Sequence, residues 1–139
     1  MIEEFIKKFT NKKLEWVRKE DKYFLKDEFL YKVQKEIPLK PSRTGLFLGI
    51  EKEGRFNPSL ALLELISKHS EKKLFLGKKN EWFFLCGRDI FIKNNKNYQD
   101  RDMVLIQNKN DENIGLGRFD KDTMINVFDR GDFLRRERK

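Results

Sequence analysis

The spacing of the apolar residues changes near Ser70, and this change constrains the fold more than any other feature of the sequence. From Lys73 onward, the apolar residues come in short runs that are separated by polar loops containing Gly and Asn. Runs of this length and spacing predict a small all-β unit, most simply a β-barrel. The runs are residues 74–76, 82–86, 103–106, 114–119, 125–128 and 133–134.

The residues before Ser70 mix the patterns of helix and strand. Asp27 is a predicted N-cap and Pro38 a predicted stop for one helix, while Asn57 followed by Pro58 predicts the start of another. We therefore expect an α+β fold with two domains, residues 1–70 and residues 71–139. The predicted helices cover residues 2–9, 27–37 and 57–69, and the predicted strands of this half cover residues 14–17, 23–25 and 46–50.

The chain is basic, with 31 Lys and Arg against 23 Asp and Glu and a formal net charge of +8. This charge favours a polyanion as partner, although surfaces of mixed charge also occur in proteins that bind none. Each half carries +4, from 15 basic and 11 acidic residues in 1–70 and from 16 and 12 in 71–139. Most of the excess positive charge of residues 71–139 lies in the last five residues, where the basic side chains are Arg135, Arg136, Arg138 and Lys139.

The cysteine content and the first residues indicate the compartment. Cys86 is the only cysteine, so an internal disulfide cannot form, and the opening residues carry acids where a signal peptide would have a positive region. No apolar run approaches the length of a membrane span. We expect a cytoplasmic, monomeric protein without a membrane partner.

The sequence offers little material for catalysis. His69 is the only histidine, and its position at a predicted helix end indicates an interaction with the helix dipole rather than a role as a base. Cys86 ends an apolar run and is predicted to be a small buried residue. Asp120 with Asp122, or Asp129 with Asp132, could form an acid pair, but acids beside turns usually cap backbone amides. We therefore expect no catalytic residue, no metal and no cofactor.

Two glycine motifs could instead approach a phosphate backbone. Gly115 and Gly117 leave one face of a predicted strand as bare backbone, which permits close contact either with another strand, the favoured interpretation, or with RNA. Gly87 and Arg88 are interpreted as a turn that opens a short helix, where amides and a guanidinium would meet a phosphate, with a purely structural role as the equal alternative. Arg118, beside the glycines, is a further candidate. Phe83, Phe84, Phe91 and Phe119 are predicted core residues, and Tyr98 is predicted to be exposed.

Several blocks in order resemble a known module. Residues 84–91, 103–106, 114–118 and 131–137 are similar to the successive strands of a PUA domain, a small β-barrel found in RNA-modifying and ribosome-assembly proteins. Upstream, residues 45–49, 55–58 and 59–63 resemble the Nip-seven family of ribosome-biogenesis factors, in an archaeal-type short form.

The resemblance implies an N-terminal α+β domain packed on a C-terminal PUA barrel, without catalytic activity. It also implies binding to pre-rRNA or single-stranded RNA during maturation of the large ribosomal subunit, with pre-ribosomal proteins or the exosome as further partners. The implied RNA-binding face includes Arg135 and Arg136, while Arg138 and Lys139 are added by charge and proximity. A protein–protein adaptor and an RNA-modification enzyme or accessory stay open as alternatives.

Overall fold

The computed structural model describes residues 1–26, 46–93 and 98–132. The chain divides into two compact units, Met1–Glu71 and Lys72–Lys139, so the division falls beside Ser70. The helix predicted at 27–37, the asparagine-rich segment 94–97 and the basic run from Arg135 onward lie outside the described residues.

The first unit combines a four-stranded antiparallel sheet with two helices. Its strands follow one another in the sheet in chain order, and α1 buries Ile2, Phe5 and Ile6. The elements are α1 (Ile2–Lys7), β1 (Trp16–Lys19), β2 (Lys22–Leu25), β3 (Phe47–Lys52), β4 (Arg55–Pro58) and α2 (Leu60–Ser67).

The start of α2 corrects the sequence-based prediction. Asn57 and Pro58 end β4 and do not begin the helix. Ser59 is the N-cap: its hydroxyl accepts a hydrogen bond from the N–H of Leu62 at 3.0 Å and donates one to the Phe47 carbonyl at 2.7 Å. A serine at this position satisfies an amide that the first helical turn leaves unpaired, which places the N-cap at Ser59, two residues after Asn57.

The second unit combines a five-stranded sheet with the eight-residue helix Lys78–Leu85. The strand order is β5-β7-β8-β9-β6, in which β5 runs parallel to β7 and the other pairs are antiparallel. Within the described ranges this order is open, whereas the sequence predicted a barrel. The elements are β5 (Lys73–Phe75), α3 (Lys78–Leu85), β6 (Ile90–Phe91), β7 (Met103–Gln107), β8 (Asn113–Asp120) and β9 (Thr123–Asp129).

Two parts of this unit differ from the predicted all-β pattern. Residues 82–86, predicted as a strand, belong largely to α3. Asp129 ends β9, and the next three residues, 130–132, are helical. A short apolar run fits a strand and a buried helical face equally well, which explains the first error.

One apolar cluster holds the second unit together. Phe84 from α3 and Phe119 from β8 are fully buried in it, and Tyr98 stacks on Phe119 with ring centroids 5.0 Å apart. Tyr98 is therefore half-buried, contrary to the prediction that it is exposed, and its hydroxyl donates to the Lys73 carbonyl at 2.7 Å. The other buried members are Leu76, Ile90, Val104, Ile106, Ile114 and Met124.

Candidate nucleic-acid interface

Helix α3 presents most of its side chains outward. Its only buried residue is Phe84, and its N-cap is Gly77 in an extended conformation. Gly87 ends the helix with φ +89°, its N–H bonding the Phe84 carbonyl at 2.9 Å, while the Arg88 N–H bonds the Phe83 carbonyl at 3.1 Å. Glycine tolerates this left-handed conformation at a helix end without steric cost.

This geometry overturns the reason for choosing Gly87 as a phosphate ligand. Gly87 closes a helix and does not open one, so it lies at the end where carbonyls, not amides, are left over. An anion is disfavoured there by the helix dipole. Arg88 remains a candidate because of its side chain alone.

Lys79, Trp82 and Arg88 are exposed and, with the half-buried Phe83, form a group that we call the α3 cluster. The ring of Phe83 lies at its centre, with the Lys79 Nζ 6.0 Å and the Arg88 Cζ 5.3 Å from the ring centroid. Trp82 contacts Phe83 edge to face, with centroids 5.5 Å apart, and is 62% exposed. Neither Lys79 nor Arg88 forms an ion pair with any residue that the structure describes.

Hydrogen bonds fasten the end of α3 to β9. The Asn126 side-chain amide donates to the Phe84 carbonyl at 2.9 Å, and the Asn126 N–H donates to Asp89 Oδ1 at 2.8 Å. Gly131 lies against the Leu85 carbonyl so closely that a Cβ would collide with it. The last described residues therefore lie beside Leu85 at the C-terminal end of α3. Arg88 follows Leu85 by three residues in the sequence.

Asp129 and Asp132 do not form a catalytic acid pair. Asp129 is buried, its Oδ1 accepts the Asp132 N–H at 2.7 Å, and its Oδ2 accepts the Asn126 side-chain amide at 3.1 Å. The carboxylate thus caps backbone at the end of β9, as acids beside turns commonly do. It also orients Asn126, which holds α3.

The glycines of β8 face the interior of the unit. A Cβ on Gly115 would collide with the Phe128 carbonyl and lie 2.8 Å from a ring carbon of Phe84, and one on Gly117 would collide with the Met124 sulfur. The bare backbone face is therefore covered by protein, in agreement with the favoured interpretation and not with RNA contact.

Arg118 is separated from the α3 cluster by the sheet. Gly117 and Phe119 face the apolar cluster that contains Phe84, and successive strand residues alternate between faces, so Arg118 points to the opposite, exposed side. The structure thus places Arg88 and the chain leading into the basic run at one end of the unit and leaves Arg118 on another face. Arg135, Arg136, Arg138 and Lys139 lie outside the described residues.

Three exposures differ from the predictions. Cys86 is exposed, not buried. Phe91 is 67% exposed, not part of the core, and Phe83 is only half-buried. Sequence reasoning missed Lys79 and Trp82, although a helical reading of residues 78–85 would have placed Lys79 one turn before Phe83.

Catalytic groups are sparse in the described part of the chain. His69 follows the end of α2, and its Nε2 lies 2.9 Å from the Nζ of Lys12. Among the described residues, no three His, Cys, Asp or Glu side chains are grouped so that they could hold a metal ion. Across the same ranges, no helix is both long and apolar enough to cross a bilayer.

Comparisons with known proteins divide the chain at the same place. Residues 72–138 match the UPF0113 PUA domain, and residues 4–63 match the first C-terminal domain of the RsmF rRNA methyltransferase. A UPF0113 protein of Archaeoglobus fulgidus is 28% identical over 115 residues, which cover 72% of this chain and 66% of that protein. The match thus spans slightly less than two thirds of the relative's length. Residues 72–138 of this chain are thus similar to the PUA domain of UPF0113 proteins.

Proposed function

We propose that this protein is a non-catalytic RNA-binding factor whose RNA-binding face is the end of the PUA domain where the α3 cluster meets the start of the basic C-terminal run. The observation that carries the proposal is the contact between Gly131 and the Leu85 carbonyl, which holds the last described residues beside the end of α3, where Arg88 follows. In the sequence, Arg135, Arg136, Arg138 and Lys139 come soon after Gly131. A concentration of cations is the usual electrostatic footprint of phosphate binding.

The resemblance to Nip-seven factors supports a finer proposal, in which the RNA is pre-rRNA and the step is maturation of the large ribosomal subunit. The match of residues 4–63 to a domain of an rRNA methyltransferase supports rRNA as the ligand. A cytoplasmic location and association with pre-ribosomal proteins or the exosome belong to the same proposal.

Truncation of the basic run tests the proposed face. The chain ending at Asp132 lacks four cations and one acid of the full sequence. We expect weaker binding to single-stranded RNA and a log–log salt slope that is shallower by roughly two to three units, since each phosphate contact to a single strand contributes about 0.7. The measurement is fluorescence anisotropy at several salt concentrations. An unchanged slope would remove the run from the binding face.

The match of residues 4–63 to a C-terminal domain of an rRNA methyltransferase favours one second candidate, an accessory of RNA modification. Cells that lack the protein separate the two functions. Accumulation of pre-rRNA with an unchanged set of modified nucleosides supports an assembly factor, whereas loss of one modified nucleoside supports the accessory. Absence of RNA binding by the purified protein at micromolar concentration would instead favour a protein–protein adaptor.

A further inference from the structure

We infer that Trp82 is a stacking platform for one unpaired base of single-stranded RNA, with Lys79 and Arg88 binding the neighbouring phosphates. The inference rests on the proposed function and deepens it, because it specifies single-stranded over duplex RNA and assigns a residue that charge alone would not select.

Trp82 is not a core residue of the second unit. Phe84 anchors α3 in the core, whereas the indole of Trp82 is 62% exposed on the other side of the helix. The edge-to-face contact with Phe83 restrains the indole, and Phe83 itself packs against the apolar cluster of the unit. A large ring that is both solvent-exposed and held in place suits stacking, since little side-chain entropy is lost when a base covers it.

The surrounding charge selects a nucleic acid over a neutral apolar partner. Residues 78–88 contain three basic side chains, Lys78, Lys79 and Arg88, and one acid, Glu81. Two of these cations lie within 6.0 Å of the centroid of the ring that Trp82 touches. A base on the indole would therefore have its own phosphates beside a lysine and an arginine. Cations that flank an aromatic ring in this way are typical of sites for single-stranded nucleic acid.

Stacking on a side chain requires a base that is not paired. In an A-form duplex the base faces are covered by their neighbours, and only shape and backbone are available for recognition. The platform therefore predicts that a single strand binds more tightly than a duplex of equal length, although the duplex carries more charge.

Tryptophan fluorescence reports the stacking directly. The chain has two tryptophans, and Trp16→Phe leaves Trp82 as the sole indole. The probe is a mixed-sequence RNA of about ten nucleotides, single-stranded or annealed to its complement, because single-strand sites span roughly 4–16 nucleotides. We expect quenching by the single strand, saturating at the concentration at which anisotropy saturates, and little quenching by the duplex.

Point variants separate stacking from charge. Trp82→Ala should weaken single-strand binding roughly 5- to 100-fold and leave the salt slope unchanged, because a base contact releases no counterions. Lys79→Gln and Arg88→Gln should each make the slope shallower by about 0.7. Phe91→Ala is the control, since Phe91 is 67% exposed in the same unit and no described cation lies over its ring. It should change neither quantity.

The outcomes distinguish this inference from the function on which it rests. RNA binding that is seen by anisotropy but neither quenches Trp82 nor weakens in Trp82→Ala would overturn the platform and leave the proposed function standing. Equal affinity for single strand and duplex would also overturn it. Absence of RNA binding by the unmodified chain would overturn both the platform and the proposed function. The exposed indole would then be assigned to contact with a protein partner.

Discussion

Each unit of this protein holds an arginine over an aromatic ring, and the two contacts have nearly the same geometry. Arg18 lies 5.5 Å from the ring centroid of Tyr23 in the first unit, and Arg88 lies 5.3 Å from that of Phe83 in the second. Arg18 also bonds Glu51 Oε2 at 3.1 Å and the Glu20 carbonyl at 2.7 Å. Within the described ranges, Arg88 has no such carboxylate.

The difference teaches that a cation over a ring does not by itself mark a binding surface. At Tyr23 the charge is balanced inside the protein, because Glu51 accepts from the arginine and also from the Tyr23 hydroxyl at 2.6 Å. At Phe83 a second cation, Lys79, approaches the same ring. The first arrangement stabilises a sheet, while the second leaves positive charge available to a phosphate.

The largest expected effect comes from breaking the support of the α3 cluster. Gly115→Ala would drive a Cβ into the Phe128 carbonyl and the Phe84 ring, at a position with φ +155°. We expect the free energy of unfolding of the second unit to fall by about 3 kcal/mol, since a clash with backbone cannot be relieved by a side-chain movement. Urea unfolding measures the loss.

Gly77→Ala is the matched control, because a Cβ at Gly77 meets nothing within 4 Å. As an N-cap change it should cost less than about 1 kcal/mol. A loss of equal size in both variants would show that Gly115 is not a point of close packing.

The second prediction compares the two arginines directly. Arg88→Gln and Arg18→Gln remove the same charge from the same kind of ring contact. We expect Arg88→Gln to make the salt slope of RNA binding shallower by about 0.7 and Arg18→Gln to leave it unchanged, because Glu51 already neutralises Arg18. Anisotropy titrations at several salt concentrations measure both slopes, and equal changes would refute the distinction.

The sequence was a good guide to the strands of the second unit and a poor one to its helix. The runs at 103–106, 114–119 and 125–128 correspond to β7, β8 and β9, since polar loop residues separate them in the sequence. The run at 82–86 carries no comparable signal that distinguishes a strand from a helix. Only the helical phase, with Phe84 inward and Trp82 outward, separates a core residue from an exposed one, and hydrophobicity alone does not encode that phase.

The candidate site was predicted in part, and partly for a wrong reason. Arg88 was selected because Gly87 was interpreted as the start of a helix, yet Gly87 ends one. The sequence gives no reason to select Trp82, which stands at the start of the apolar run 82–86 without a motif of its own. The contact between Gly131 and Leu85 and the bonds of Asn126 hold the end of α3, and they join parts of the chain that are about 40 residues apart.

The smallest expected effects concern pH, and here the two units should differ in kind. In the first unit, the hydrogen bond between Tyr23 and Glu51 is the main cause that raises the pKa of Tyr23 and lowers that of Glu51. In the second, burial raises the pKa of Tyr98, and the nearby Asp102 adds to the effect. A carboxyl group whose pKa is lowered by folding stabilises the fold at pH values above its ordinary pKa of 4.5. This stabilisation is lost as the pH falls through the lower pKa of the folded state. A tyrosine whose pKa is raised by folding stabilises the fold at pH values below its ordinary pKa of 10.0. This stabilisation is lost as the pH rises through the higher pKa of the folded state. Tyr23→Phe should therefore flatten both the acid and the alkaline limbs of a plot of melting temperature against pH, whereas Tyr98→Phe should flatten the alkaline limb alone. If Tyr23→Phe left the acid limb unchanged, Glu51 would not depend on that hydroxyl, and Arg18 would have to be the group that holds its charge.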